Sequence, residues 1–355
     1  MQKKMRSINH GAWTWHPLAW AVGGVLAVGA GTAQAQQDWA WDWGGAVELE
    51  AGWAEDYAGD SESDLNLATF ELALEARVNE WVSTRGVLLY EDEGPDSEVE
   101  VDEAVLSMVF PGGSGAYMDA GRQYVPFGRF DTGLVSDPLA LELAETRETA
   151  VVLGWAGERV YGSVWAFAGD TRDELSNGGA NAGVLLPLGG GELDLGVGYL
   201  TSLGDSDSLQ DLQAENLGQV DLADTSRVGA YNVYATAHLG DLTLAGEYVA
   251  ADEAFESRQL AFDGQWAEPA AWGLEVGYRL EDLARPVTLS AAVQGSDEAR
   301  ALDLPETRYL AGVSVELMDR LGLAFEYAHD EDYDRADGGT GDSGQSAVVQ
   351  LAAEF

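Results

Sequence analysis

The chain has 355 residues, no cysteine, and 62 acidic side chains against 18 basic ones. The lack of cysteine excludes disulfide scaffolds, cysteine-ligated zinc and thiol catalysis. The formal net charge of −44 argues against nucleic acid as a partner, since a phosphate backbone requires a basic surface, while 46% apolar residues argue against disorder.

The first 35 residues have the pattern of a secretory signal peptide. Three basic residues stand within the first six positions, an apolar stretch follows over 17–30, and Ala33-Gln34-Ala35 fits the A-x-A cleavage rule. The apolar stretch is shorter than the ~20 residues that a membrane-spanning helix requires. We therefore predict export, cleavage after Ala35 and one mature domain over 36–355.

The mature chain is more acidic than the whole. With three basic residues in the signal peptide, 15 remain against 62 acidic ones, and the net charge becomes −47. A surplus of this size repels itself at low salt and is screened at high salt. A salt-loving, halophilic source organism is our first explanation for it, and a function that attracts cations is the second.

Apolar and polar residues alternate through the mature chain. Only a strand places every second side chain on one face, so this pattern predicts β-strands. The alternating segments include 66–78, 193–199, 231–239, 242–248, 272–280 and 321–327. Turn signals between them are alternately short, as at Gly240-Asp241, and long and acidic, as at 55–64, 91–98, 203–225 and 330–344.

Short turns at one end and long loops at the other are typical of an outer-membrane barrel, whose strands need about 9–11 residues each. Both termini of such a barrel lie on the periplasmic side, which requires an even number of strands. We therefore leave out the weakest candidate, 257–267, and predict an all-β, transmembrane antiparallel β-barrel of about 16 strands, within a range of 14–18. A soluble β-sandwich is the alternative that alternation alone would allow.

Aromatic residues stand near the predicted strand ends, where a barrel places girdles at the two membrane interfaces. The candidates are Trp39, Trp41, Trp43, Trp53, Trp81, Trp155, Trp272, Tyr199, Tyr278 and Tyr327. The last strand ends on Phe355 after an alternating row that begins at Ala347. A terminal aromatic resembles the signal read by the barrel-assembly machinery, so we predict that role for Phe355, with outer-membrane lipid around the barrel.

The segment 119–149 breaks the alternation. Pro126 and Gly128 end a strand, and roughly 20 residues follow before alternation resumes near Ala150, which is long for a connection without a function. By the strand count this connection is extracellular. Because the apolar run 138–141 is poorly suited to solvent, we predict that the segment folds into the barrel as a constriction.

This segment also carries a family resemblance. Tyr124-Val125-Pro126-Phe127-Gly128 after a Gly-Arg pair resembles an element of the phosphate-selective porins O and P. The continuation from Ser136-Asp137-Pro138-Leu139 through 142–149 resembles the LbtU-type siderophore porins more closely, a family of outer-membrane barrels linked to uptake of legiobactin. The similarity is strongest over 119–150. Some members carry an N-terminal coiled coil, which we do not expect here because 39–53 already has the pattern of girdle and first strand.

Mixed charge in this segment makes it the candidate site. The predicted pore residues are Arg122, Tyr124, Arg129, Asp131, Asp137, Glu142, Glu145, Arg147 and Glu148. Opposed rows of charge across a pore select solutes by charge and dipole. The same ions could instead pair and pin the segment to the wall, and the sequence leaves both interpretations open.

The leading hypothesis is a channel for small solutes, with uptake of ferric siderophores implied by the resemblance. The alternatives are a general cation-preferring or phosphate-porin-like diffusion porin, and a non-transporting structural barrel. We expect no enzyme activity, because the only mature histidines, His238 and His329, have no partner motif. We also expect no cofactor and no metal, while a homotrimer stays open as the assembly state.

Overall fold

The computed structural model describes residues 40–92, 97–169, 175–217 and 226–355. The predicted signal peptide, its cleavage after Ala35 and the girdle candidate Trp39 lie outside the described residues. So do parts of the predicted loops 91–98 and 203–225.

Sixteen antiparallel strands form a closed barrel. The elements are β1 (Ala40–Glu55), β2 (Ser61–Arg77), β3 (Val82–Glu91), β4 (Val99–Val109), β5 (Ala116–Tyr124), α1 (Leu139–Ala144), β6 (Arg147–Ala156), β7 (Val160–Ala168), β8 (Leu175–Leu188), β9 (Gly191–Leu200), α2 (Asp207–Leu217), β10 (Ala230–Leu239), β11 (Leu242–Ala251), β12 (Ala261–Phe262), β13 (Gln265–Trp266), β14 (Ala270–Leu280), β15 (Val287–Asp297), β16 (Thr307–Met318), β17 (Leu321–Glu331) and β18 (Ser343–Glu354). Strands pair with their neighbours in sequence, β11 pairs with β14, and β18 closes the barrel on β1. The predicted 16-stranded barrel is confirmed, and the omitted segment 257–267 holds only the small β12–β13 hairpin outside the wall.

The connections alternate as expected. At the end of the barrel where β1 begins and β18 ends, the connections have two to six residues. Most of the connections at the other end are longer. The predicted long loop 55–64 is shorter than expected: β1 and β2 continue to pair up to Glu55 and Ser61, so that only 56–60 form the turn. The polar residues at 61–64 lack the apolar alternation that predicts a strand, because a strand that extends beyond the membrane needs no apolar outer face.

The wall has an apolar outer face and a polar inner face. On β10, Tyr231 and Val233 are exposed, whereas Asn232 and Thr236, on the opposite face, are buried. An exposed apolar outer face is what a lipid environment requires. Of the described girdle candidates, Trp272 is partly covered and the others are exposed. Neither α1 nor α2 is long and apolar enough to cross a membrane.

The last residue takes part in closing the wall. Phe355 N donates to Gly45 O at 3.0 Å, and Gly45 N donates to Phe355 O at 3.2 Å, so the β1–β18 pairing runs to the final residue. The Phe355 ring lies over Gly45, where a Cβ would come within 2.7 Å of Cζ, and its centroid is 5.9 Å from that of Trp43. Glycine at position 45 therefore makes room for the terminal ring.

The substitution Gly45→Ala is expected to weaken barrel closure. The added methyl group would collide with the Phe355 ring and with the carbonyl of Glu71, and such overpacking costs about 1–3 kcal/mol. Heat-modifiable migration after refolding into detergent should show a lower unfolding temperature. Gly52→Ala on the same strand is the matched control, because a Cβ there meets nothing within 4 Å. Equal unfolding temperatures for the two variants would contradict this account.

An apolar core lies inside the barrel, toward the end that carries the longer connections. It joins α1, through Leu139 and Leu143, to Leu209 of α2 and to residues of the loops after β9 and β11, such as Leu203 and Phe255. All five side chains are fully buried. The apolar run 138–141 therefore packs against other loops within the barrel rather than facing solvent.

Candidate functional site

Residues 125–146, the crossing loop, run across the lumen. The loop leaves β5 at Tyr124 and returns to β6 at Arg147. Between these ends, Leu139 N donates to Gln294 Oε1 on β15 at 3.1 Å. Around the barrel, β15 is seven strands from β6 in one direction and eight from β5 in the other. The loop therefore reaches the opposite wall, as the predicted inward fold requires.

Three wall carboxylates, the anchor glutamates Glu247, Glu275 and Glu326, hold the loop backbone. They stand on β11, β14 and β17 and bind successive loop segments. Irregular backbone inside a barrel needs acceptors for its N–H groups, because no ladder supplies them. These carboxylates provide such acceptors.

Each anchor glutamate accepts more than one hydrogen bond. Glu247 accepts from Arg129 N at 2.8 Å and Phe130 N at 2.5 Å. Glu275 accepts from Gly133 N and Thr132 Oγ1, both at 2.8 Å. Glu326 accepts from Val135 N at 2.6 Å, from Ser136 N at 3.1 Å and from the Ser136 hydroxyl. The paired bonds fix the direction of the loop as well as its position.

The two ends of the loop are tied together by a neck cluster of Arg122, Tyr124, Arg147, Glu100 and Asp102. Arg147 Nη1 lies 2.6 Å from both Glu100 Oε1 and Asp102 Oδ1. The Tyr124 hydroxyl donates to Asp102 at 2.9 Å, and Arg122 lies 3.9 Å from Glu100. The cluster therefore combines three predicted site residues with two acids of β4.

Arg129 lies apart from the neck cluster. Its Nε is 2.9 Å from Asp131 and its Nη1 is 3.1 Å from Asp194 of β9, while Thr236 of β10 donates to Asp131 at 3.1 Å. The predicted arginines therefore do not form one row across the pore. Each lies beside at least one acid, which fits the interpretation that these ions pin the loop.

Asp137, Glu142 and Glu145 form an acidic face on the crossing loop. Asp137 is buried and Glu142 and Glu145 are partly exposed deep in the barrel. Burial raises the pKa of all three carboxyls, and the pKa of Asp137 is raised further by the charges of the other two. Arg308 opposes the shift at Glu142.

Wall acids add to the field at the acidic face. The charge of Glu91 acts on both Asp137 and Glu145, and that of Asp102 acts on Glu145. These two acids belong to β3 and β4. Acid therefore lies near acid in this part of the lumen.

Helix α2 is attached to the returning part of the loop. Asp207 N donates to Glu145 O at 2.9 Å, Ser208 Oγ donates to Glu142 O at 2.6 Å, and Arg147 N donates to Asp207 Oδ1 at 3.2 Å. Burial raises the pKa of Asp207 to about 6. Glu148, the remaining predicted site residue, is buried and accepts from Gln210 of α2 at 3.2 Å.

The acidic loop after β17 has internal hydrogen bonds. Asp332 accepts from Thr340 N at 2.6 Å and from Thr340 Oγ1 at 2.7 Å. Among the described residues, no group of three or more histidine, aspartate or glutamate side chains is placed to hold a metal ion.

Sequence comparison finds relatives in two bacteria, and no family model matches the chain. A UPF0422 protein of Legionella pneumophila is 28% identical over 302 residues, which cover 77% of this chain and 56% of that protein. A UPF0422 protein of Coxiella burnetii is 25% identical over 329 residues, covering 86% and 67% respectively. The chain thus spans little more than half the length of its Legionella relative.

Solved structures with the same fold include porins and other proteins of the outer membrane. An anion-selective porin from Comamonas acidovorans has a TM-score of 0.61 at 14% identity, covering 90% of this chain and all of that one. The channel DcaP of Acinetobacter baumannii has a TM-score of 0.60 at 13% identity, and the match covers 91% of this chain and 99% of DcaP. The trimer form of OmpT from Vibrio cholerae has a TM-score of 0.54 at 12% identity, and the match covers 89% of this chain and 99% of OmpT. The chain has the fold of a porin of the bacterial outer membrane.

Proposed function

We propose that this barrel conducts small solutes across the outer membrane and that its lumen prefers cations. The observation that carries the proposal is the acidic face, which lies near further acids of the wall. The arginines that could offset its charge, Arg122, Arg129 and Arg147, lie beside other acids. Acids at a constriction attract cations and repel anions, because low-dielectric walls concentrate their field.

A planar lipid bilayer with purified protein tests the proposal. Single channels should conduct, and the reversal potential under a potassium chloride gradient should indicate a cation preference at low salt. At ~1 M salt the preference should weaken, since the Debye length falls to ~3 Å. A barrel that inserts without conducting would support the structural alternative. A preference for chloride would refute the role of the acidic face.

The cation preference is expected to fade as the pH falls, starting above the ordinary carboxyl range. Asp137 and Glu145 have pKa values well above 3.8 and 4.5, so they gain protons while exposed carboxyls are still charged. Because the folded pKa is raised, the folded loop binds more protons than the unfolded one, and protonation favours it. Selectivity should thus fall without release of the loop. A reversal potential that stays constant down to pH 4.5 would contradict this.

Ferric siderophores are a second candidate cargo, supported by the resemblance over 119–150. Ferric legiobactin added to one side of the bilayer should then interrupt the current in a concentration-dependent way. Iron-free legiobactin is the control. The trimer form of OmpT supports a homotrimer as the assembly state of this protein. The proposal that residues 1–35 are a signal peptide, cleaved after Ala35, rests on the sequence pattern.

A further inference from the structure

Two tyrosines and two glycines form one row across four strands of the inner wall. Tyr161 on β7 pairs in register with Gly183 on β8, Gly183 pairs with Gly196 on β9, and Gly196 pairs with Tyr234 on β10. The neighbouring inward positions 163 and 232 are buried, whereas Val164 is exposed on the outer face. The row therefore belongs to the lumen side.

The tyrosine rings lie over the glycines. A Cβ on Gly183 would run into the Tyr161 ring, and one on Gly196 would run into the Tyr234 ring. The two hydroxyl groups meet over the glycine pair in a hydrogen bond, and the Tyr161 hydroxyl also donates to Asp194 Oδ1 at 2.6 Å. We name Tyr161 and Tyr234 the tyrosine floor.

Polar groups border this aromatic surface. Asp194 lies beside it and is held by Arg129 Nη1 at 3.1 Å, so the crossing loop reaches its edge. On the next strands, the Tyr117 ring lies over Gly154 in the same manner. Tyr161 and Tyr117 are partly exposed, whereas Tyr234 and Asp194 are buried. The part of the tyrosine floor that the lumen can reach is thus the Tyr161 ring, with the Arg129 guanidinium near its edge.

We infer that the tyrosine floor is a stacking site for hydroxylated ring solutes, that is, for sugars. The C–H groups on one face of a pyranose ring suit the negative face of an aromatic ring. The hydroxyl groups at the edge of the sugar ring suit a charged donor such as Arg129, whose side chain is partly exposed. The inference rests on the proposed function, because a sugar must be able to enter the lumen.

The test compares a cyclic sugar with an acyclic polyol. The conductance of many channels in a bilayer is titrated with cellobiose and, separately, with sorbitol at matched viscosity. Cellobiose should lower the conductance along a saturating curve, and sorbitol should act through viscosity alone. Equal curves in the wild-type protein would overturn the inference without any variant. Absence of conductance would instead refute the proposed function.

Substitutions separate stacking from space filling. Tyr161→Leu should weaken the apparent cellobiose affinity roughly two- to tenfold, the range expected for losing an aromatic contact. Tyr161→Phe keeps the ring and should bind cellobiose with the affinity of the wild-type protein. Tyr231→Leu, on the exposed outer face of β10, is the matched control and should leave it unchanged. If Tyr161→Leu inserts and binds cellobiose like the wild type, the ring only fills the space above Gly183.

Discussion

Replacing the three anchor glutamates together, as Glu247→Gln, Glu275→Gln and Glu326→Gln, is expected to free the crossing loop and raise the single-channel conductance. Each carboxylate accepts at least two hydrogen bonds from the loop, and glutamine keeps only one acceptor oxygen. Hydrogen bonds to charged groups contribute about 1.5–3 kcal/mol, so each substitution should cost about 1.5 kcal/mol of anchoring. Bilayer recordings should show larger and noisier currents.

A matched variant shows whether the effect is local. Glu192→Gln on β9 removes an exposed carboxylate near the opposite end of the wall and should leave the current unchanged. The triple variant must first show heat-modifiable migration, which establishes that the barrel is closed. An inserted triple variant with wild-type conductance would mean that the apolar core, the neck cluster and the bond from Leu139 N to Gln294 hold the loop without the anchor glutamates.

Neutralising the acidic face, as Asp137→Asn, Glu142→Gln and Glu145→Gln, is expected to lower the cation-to-anion permeability ratio strongly. At an effective dielectric of about 40, a charge about 8 Å from a passing ion contributes about 1 kcal/mol, or roughly fivefold per group at low salt. The reversal potential under a salt gradient should move toward zero. Its dependence on pH should weaken, because the three carboxyls of the acidic face no longer titrate.

Two other variants are compared with this one, a control with no expected effect and a variant with the opposite expected shift. Asp56→Asn should not alter the reversal potential, since this exposed carboxylate accepts hydrogen bonds from Ala58 N and Asp60 N of its own turn, outside the crossing loop. Neutralising Arg122, Arg129 and Arg147 should shift it the opposite way, toward stronger cation preference, because acids beside them lose their counter-charges. If neither charge set moves the reversal potential in inserted proteins, the crossing loop lies outside the ion path.

The wall was predictable from sequence because its signal is local. Alternation shows which residues share a face of one strand, and the run 138–141 indicated that its segment must be buried. The anchors were not predictable, since which strands meet the loop depends on register and on how the barrel closes. Glu247, Glu275 and Glu326 each stand on the inner row of an alternating strand, and that position was their only signal.

The charge arrangement was left open for the same reason. Arg122, Arg129 and Arg147 are close in sequence, and that closeness is compatible both with opposed rows of charge and with ion pairs that pin the loop. Their partners Glu100, Asp102 and Asp194 come from other strands and draw them apart. Helix α2 was also missed, since its segment reads as an acidic loop until Asp207 and Ser208 bind the returning backbone.

The positions of the anchor glutamates in the chain also bear on the order in which the loop attaches and the barrel closes during folding. Val135 and Glu326 are separated by 191 residues, and the other two anchors likewise come from the later half of the chain. Contacts so distant in sequence form slowly, because the intervening chain must first be confined. Ala46 and Glu354, which pair when β18 closes on β1, are 308 residues apart, further than any anchor from the loop. We therefore expect the loop to attach to the later strands before the wall closes. The barrel would then close with its lumen already narrowed, without an earlier phase of high conductance.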